Sequence, residues 1–337
     1  MRLFDGHDHL RVASTAEGEA ALATLAAQGV SLGMLGLGTP ESSELSVALQ
    51  LQNTSATPFF AFVMPPFVPG SGGENSFDAT TLAFVQLQLD AGALGIGEIS
   101  LRHSGPAPLA ANIPADEATA MALYTAASTR ALPVVIHFET RDKSAPSVDI
   151  TSRIDELRTA LTAHPTTQFI WAHLGDTGPG TVRTLIEDFE NLYADLSSRN
   201  PHFVRGWPLG LQSLNDGATG TGNLKTAWKD LFEDHPDRFL FGLDLANADR
   251  WAQLPQVVSY YRGVLGELSQ STAEKIACHN ARSLLRPTAL PGPSAPWAAI
   301  LALLMLLGGA FLLNLAPRNA RPMPPEAAAS RLFPPRS

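Results

Sequence analysis

The sequence predicts an α/β fold: a closed (β/α)8 TIM barrel over residues 1–287, followed by a single C-terminal transmembrane helix at 297–315. Three observations point there. Eight short apolar runs alternate with helix-like segments through the first 287 of 337 residues, which suits a parallel sheet closed on itself. The runs are nearly continuous in apolar character, as strands buried on both faces should be. Near the C-terminus, nineteen residues in a row carry no charge.

In chain order the strand runs are "RLFDGHD" (2–8), "GVSLGMLGLG" (29–38), "PFFAFVM" (58–64), "ALGIGEI" (93–99), "LPVVIH" (132–137), "QFIWAH" (168–173), "NLYADLS" (191–197) and "RFLFGLD" (238–244). Helical patterns lie between them, among them "TAEGEAALATLAAQ" (15–28), "ADEATAMALYTAASTR" (115–130), "SRIDELRTALTAH" (152–164) and "GTVRTLIEDFE" (180–190). A doubly wound open sheet is the structural alternative. The lack of a glycine-rich dinucleotide fingerprint after the first strand disfavours it.

After the eighth unit comes a proline-rich linker (288–296), then "WAAILALLMLLGGAFLLNL" (297–315). As a helix this run would measure about 28 Å, close to the hydrocarbon thickness of a bilayer. The plainer reading is a buried core helix, but a fully apolar helix after a complete domain has little left to pack on. A basic tail (316–337), expected to be disordered, ends the sequence. The opening "MRLFDGHDHL" lacks a basic region followed by an apolar core and does not read as a signal peptide. A single-pass membrane protein with its barrel in the cytoplasm is therefore expected, although Arg318, Arg321 and Arg331 beyond the span pull the other way against Arg282 and Arg286 before it.

The net charge is −9, and such an acidic chain argues against general nucleic-acid binding. Cys278 is the only cysteine, so neither an internal disulfide nor a cysteine-built zinc site is available.

Catalytic side chains of such barrels sit at the C-terminal ends of the strands. The polar residues there are His7 and His9 after strand 1, Glu98 on strand 4, His137 on strand 5, His173 on strand 6 and Asp244 on strand 8. Imidazoles and carboxylates suit zinc, manganese, iron or nickel, and an i, i+2 pair on a strand points both side chains to one face. The intervening Asp8 would face the other way and be structural. A single histidine at a strand end is more often a hydrogen-bonded core residue; six ligand-type groups in matching positions are difficult to explain that way.

With these residues in view, the chain resembles the amidohydrolase superfamily of metal-dependent barrels. "FDGHDHL" is similar to its strand 1 HxH motif, "PVVIHFE" and "FIWAHLGD" to its strand 5 and 6 histidines, and "FLFGLDLAN" to its strand 8 aspartate. "NLYADLSS" and "KIACHNARSLL" resemble segments of the amidohydrolase-related branch, which includes decarboxylases as well as hydrolases. "GIGEISL" is similar to the TatD-like segment in which a strand 4 glutamate bridges two metals.

The resemblance implies one or two divalent ions, zinc foremost, held by His7, His9, Glu98, His137, His173 and Asp244. In a binuclear site Glu98 would bridge and His173 would bind the second ion; in a mononuclear one His173 would be an acid/base or orienting group. No strand 4 lysine is present for a carbamate bridge. Water on such an ion has a pKa near 7, and Asp244 would accept its proton. The expected activity is hydrolysis of an ester, amide or phosphoester bond in a small molecule. A non-oxidative decarboxylase of the same superfamily is the alternative, and a non-catalytic metal-binding barrel a third reading.

Arg102, Arg141, Lys143, Arg199 and Arg205 fall in loops after strands 4, 5 and 7. Arg102, Arg141 and Arg205 are candidate contacts to an anionic substrate; solvated loop charges are the plain alternative. The loop 198–222, with Phe203, Trp207 and Leu209 among glycines, suits a lid with an apolar underside.

Overall fold

A computed structural model describes residues 1–285 apart from 11, 33–34, 38–41, 58, 70–74, 105–109 and 204. Residues Met1–Pro287 form one compact unit. Its strands are β1 (Leu3–Asp5), β2 in two pieces (Val30–Leu32 and Leu35–Leu37), β3 (Ala61–Val63), β4 (Ile96–His103), β5 (Val134–Phe138), β6 (Phe169–Trp171), β7 (Leu192–Asp195) and β8 (Phe239–Leu240). Neighbours pair in parallel around the order β1 to β8, with registers such as Val134↔Phe169 and Phe169↔Leu192.

The ring closes between its first and last strands. Gly6 N–H donates to the Phe241 carbonyl at 2.8 Å, and the His7 carbonyl accepts from the N–H groups of Leu243 (3.1 Å) and Asp244 (2.8 Å). Gly242 lies in this seam, where a Cβ would come within 2.9 Å of both His7 Cβ and Ser197 Cβ. No side chain fits at that approach.

Alternation along the strands sorts the core. Phe4, Phe62, Val135, Ile170 and Leu240 cluster with Ala281, Leu284 and Leu285, which fills the barrel interior. Their neighbours Leu3, Ala61, Val134, Ile136, Phe169, Trp171 and Phe239 belong to the layer packed by the helices. Those helices are α1 (Thr15–Ala27), α2 (Ser42–Thr54), α3 (Thr81–Asp90), α4 (Ala118–Ser128), α5 (Thr151–Ala163), α6 (Pro179–Asp188), α7 (Thr226–Asp234) and α8 (Leu254–Gly266). Two begin on side-chain caps: Ser14 accepts from Glu17 N–H ahead of α1, and Glu117 accepts from Thr119 and Ala120 N–H ahead of α4.

The membrane reading is corrected. Among the described residues no helix is long and apolar enough to cross a membrane. The longest have thirteen residues, about 20 Å of rise against a hydrocarbon core of about 30 Å. The run 297–315, the linker 288–296 and the tail 316–337 lie outside the described residues. The transmembrane helix, the membrane as a partner, the single-pass localisation and the cytoplasmic placing derived from it are withdrawn.

Candidate metal centre

β1 ends at Asp5, short of the histidine pair, so His7 and His9 stand on the segment beyond the strand. Two buried carboxylates hold that segment to the end of β8. Asp5 Oδ1 accepts from the N–H groups of His7 (3.2 Å) and Leu243 (3.0 Å), and Asp8 Oδ1 from those of His9 (2.7 Å) and Leu245 (2.6 Å). Burial pushes both carboxyls up, and at Asp5 the neighbouring Asp8 adds to it. Asp8 is thus a positioning residue.

Glu98 projects from β4 into the middle of the histidines. Its Oε1 lies 2.9 Å from His137 Nδ1 and 3.4 Å from His173 Nε2. Its Oε2 lies 3.2 Å from His9 Nε2 and 3.7 Å from His7 Nε2. Asp244 completes the ring, with Oδ1 3.3 Å from His9 Nε2 and Oδ2 3.7 Å from His173 Nε2. All six residues are buried.

Two of them are set by left-handed backbone. His173 (φ 58) begins four successive residues of positive φ past β6, and Asp244 has φ 61. Non-glycine residues in this region are sparse and collect at functional sites. The turn needs Gly175 (φ 64), where a Cβ would fall 1.9 Å from the Trp171 ring.

On His7 and His173 the ring nitrogens facing away from the centre are engaged. His7 Nδ1 lies 2.8 Å from Asp195 Oδ2, and His173 Nδ1 lies 3.1 Å from the Ser197 carbonyl and 2.8 Å from its Oγ. Asp195 also accepts from the His173 N–H (3.1 Å) and from Ser197. These partners assign the Nδ1–H tautomer to His7 and His173, which turns the Nε2 lone pairs inward. His7 Nε2 is buried with no hydrogen-bond partner among the described residues. An orphaned buried acceptor among imidazoles and carboxylates is what a divalent cation would satisfy.

The electrostatics agree. Burial alone would raise the Glu98 carboxyl, yet His7 and His137 hold it well below the usual range. Burial opposes a charged His137, but Glu98 and Glu139 push it up to about 9. Asp244 is held far down against burial by Arg250 and His173. The position favours positive charge. Two sets of ligand atoms lie close enough for an ion, His7–His9–Glu98 and Glu98–His137–His173, with Glu98 common to both; His103–His137–Glu139 and His7–His173–Asp195 make two more.

A cavity of about 120 Å³ opens on this cluster, lined by Glu98, His137, His173 and Asp244 with Arg205 and Arg250. A larger hollow of about 610 Å³ lies by α8, but its only ligand-type side chains among the described residues are His202 and Glu267; the ligand-type groups gather at the smaller one.

Of the three candidate arginines, only Arg205 lines the site cavity, and it makes a bidentate pair with Asp176 at 2.6 and 2.7 Å. Arg102 is held by Glu156 and Asn112, and Arg141 by Asp149 and the Pro146 carbonyl. Neither Arg102 nor Arg141 lines it, because each guanidinium is turned to a local carboxylate. The expected lid buries Phe203 and Trp207, with the Arg250 guanidinium over Phe203.

The residues missed by sequence reasoning are Arg250, which donates to the Asp244 carbonyl (2.8 Å) and carboxylate, Ser198, which donates to that carboxylate, and Glu139, 3.3 Å from His137 Nε2. Glu139 was discoverable: it follows His137 by two positions, so it shares its face of the chain. Arg250 lies past β8 on the short helix Ala248–Ala252, with no strand end to mark it. His103 also lines the cavity, with its ring 4.2 Å from that of His137; burial and that neighbour lower it to about 3.

Comparison with known proteins fits this geometry. An uncharacterized TIM-barrel protein from Bordetella bronchiseptica shares 15% identity at a TM-score of 0.56, covering 85% of this chain and 98% of that one. An amidohydrolase from Burkholderia multivorans with bound zinc shares 15% at 0.55, covering 86% and 100%. A 2,6-dihydroxybenzoate decarboxylase from Rhizobium shares 13% at 0.51, covering 85% and 99%. At these identities the likeness is one of fold. No curated protein matches by sequence. The sequence model of the amidohydrolase family, however, matches residues 15–286, more than half of the chain, and on that match the chain belongs to the amidohydrolase family.

Proposed function

We propose that the chain is a metal-dependent hydrolase that cleaves an ester, amide or phosphoester bond in a small molecule. His7, His9, Glu98, His137, His173 and Asp244 hold one or two divalent ions, zinc foremost. When bound, such an ion supplies the Lewis acidity that makes water a nucleophile at neutral pH. Asp244, kept ionised by Arg250 and His173, accepts the proton of the attacking water and returns it to the leaving group. Asp195 orients His7, and Ser197 orients His173. Arg205 and Arg250 favour a substrate with negative charge near the reacting bond.

One observation carries the reading. The two Glu98 oxygens face different histidine sets, Oε2 towards His7 and His9, Oε1 towards His137 and His173. A carboxylate so placed would serve both histidine sets if two ions were held there, and such ions would supply the activation of water. A decarboxylase is the second reading, favoured by the two guanidinium groups on the cavity wall; it needs no water nucleophile.

Metal analysis of the purified full-length chain, with a screen of esters, lactones, amides, phosphoesters and aromatic carboxylates, decides between them. Hydrolysis with about two ions per chain is expected. Release of CO2 from an aromatic carboxylate without any hydrolysis would replace the first reading by the second, and metal content near zero after careful preparation would undo both.

A further inference from the structure

A second cavity of about 370 Å³ lies beside the metal-site cavity, between the segments that follow β1 and β8. Its wall is apolar, with Leu10, Val12, Leu245 and Trp251. The first three are buried. Among the described residues His9 is its only titratable lining residue, and the side chain of Asn247, which also lines it, already accepts from the Arg250 N–H as a helix cap. His9 and Ala246 line both cavities, so the apolar space adjoins the reacting space at these two residues.

Size gives the two cavities different work. At about 120 Å³ the metal-site cavity is smaller than the roughly 150 Å³ that encloses a benzene ring. It accommodates a reacting group and little more. The neighbouring 370 Å³ has room for an aryl group or an alkyl chain of several carbons. We propose that it binds the apolar part of the substrate, so that the substrate class is amphiphilic: a polar or anionic reacting end by Glu98, Asp244, Arg205 and Arg250, and an aryl or alkyl end between Leu10, Val12 and Trp251. This rests on the metal-dependent reading above and adds a specificity pocket to it.

Hydroxamates test the two separately, because the hydroxamate group chelates a divalent ion and its tail is free to vary. Acetohydroxamate, hexanohydroxamate and 3-phenylpropanohydroxamate are titrated calorimetrically into the zinc-loaded full chain. Each buried methylene is worth about fourfold in affinity, so both long-tailed probes are expected to bind at least about tenfold tighter than acetohydroxamate. Ala248→Trp, a substitution at an exposed position on the cavity wall, should abolish that advantage and leave acetohydroxamate unchanged. Trp251→Ala should reduce it. Equal affinity of all three probes, or an advantage untouched by both substitutions, overturns the pocket. A chain that ignores acetohydroxamate yet binds the phenyl probe, and loses it with Ala248→Trp, keeps the pocket and overturns the metal centre; a chain that binds none of the three overturns both.

Discussion

Two buried polar clusters share the mouth of this barrel, and they are built on opposite rules. In the arginine cluster, groups are matched: Arg199 donates to the carbonyls of His173, Thr177, Leu211 and Gln212, and Arg205 is clamped by Asp176. In the Glu98 cluster, five ligand-type residues surround one carboxylate and two ring nitrogens, His7 Nε2 and His9 Nδ1, find no hydrogen-bond partner among the described residues. A buried group left unmatched costs about 1–3 kcal/mol, and such exceptions are few in native proteins. The matched cluster holds loops in place; the unmatched one is prepared for something that comes from outside.

The contrast can be broken in four ways. Asp244→Asn should lower kcat by about 10²–10⁴-fold while most metal is retained, read by turnover and metal analysis of the same preparation; full activity would remove Asp244 from the proton path. Asp176→Asn attacks the matched cluster and leaves the Arg205 guanidinium buried without its charge partner. It should cost about 3–5 kcal/mol in urea unfolding, with metal content unchanged. A loss of metal without a loss of stability would reverse the roles assigned to the two clusters. Asp195→Asn, which removes only the orienting partner of His7, should weaken metal binding by about 10–100-fold, measured by competition with a chelator.

The smallest effect concerns acid. Burial would raise Asp149, but Arg141 and the hydroxyls of Thr140, Thr177 and Thr181 lower it to about 2 from an ordinary 3.8. A carboxyl depressed in the folded state stabilises above its unfolded value, and that stability is lost as pH falls from about 4 through about 2. Unfolding midpoints measured across that window should fall less steeply in Asp149→Asn than in the natural chain. Identical slopes would show that the pair is too screened to matter.

The strand ends were legible because buried parallel strands are written as apolar runs, and a polar residue closing such a run stands out; His137, His173 and Asp244 are of this kind. The HxH pair was found by a weaker route. Alternation along a strand suggested that His7 and His9 share a face, but β1 stops at Asp5, and it is Asp5 and Asp8, tied to the backbone after β8, that present them. Contacts between segments more than 230 residues apart leave no local pattern. Arg250 and Asp244 lie only six residues apart and Arg141 and Asp149 eight, but across turns whose course the apolar pattern does not record, and Arg102 is claimed by Glu156, 54 residues on. The apolar run at 297–315 has the length and hydropathy of a span, but it lies outside the described residues, and no described helix can cross a membrane.

The seam between β1 and β8 has a consequence for the birth of the protein. Asp8 grips an amide 237 residues downstream, and His7 shares its carbonyl with Leu243 and Asp244. At about 5–20 residues per second, a ribosome needs roughly 10–50 seconds to deliver the second side after the first. The histidines are made before nearly all of the barrel and wait through its synthesis before they have a wall to stand against, so ring closure cannot precede the emergence of the last strand.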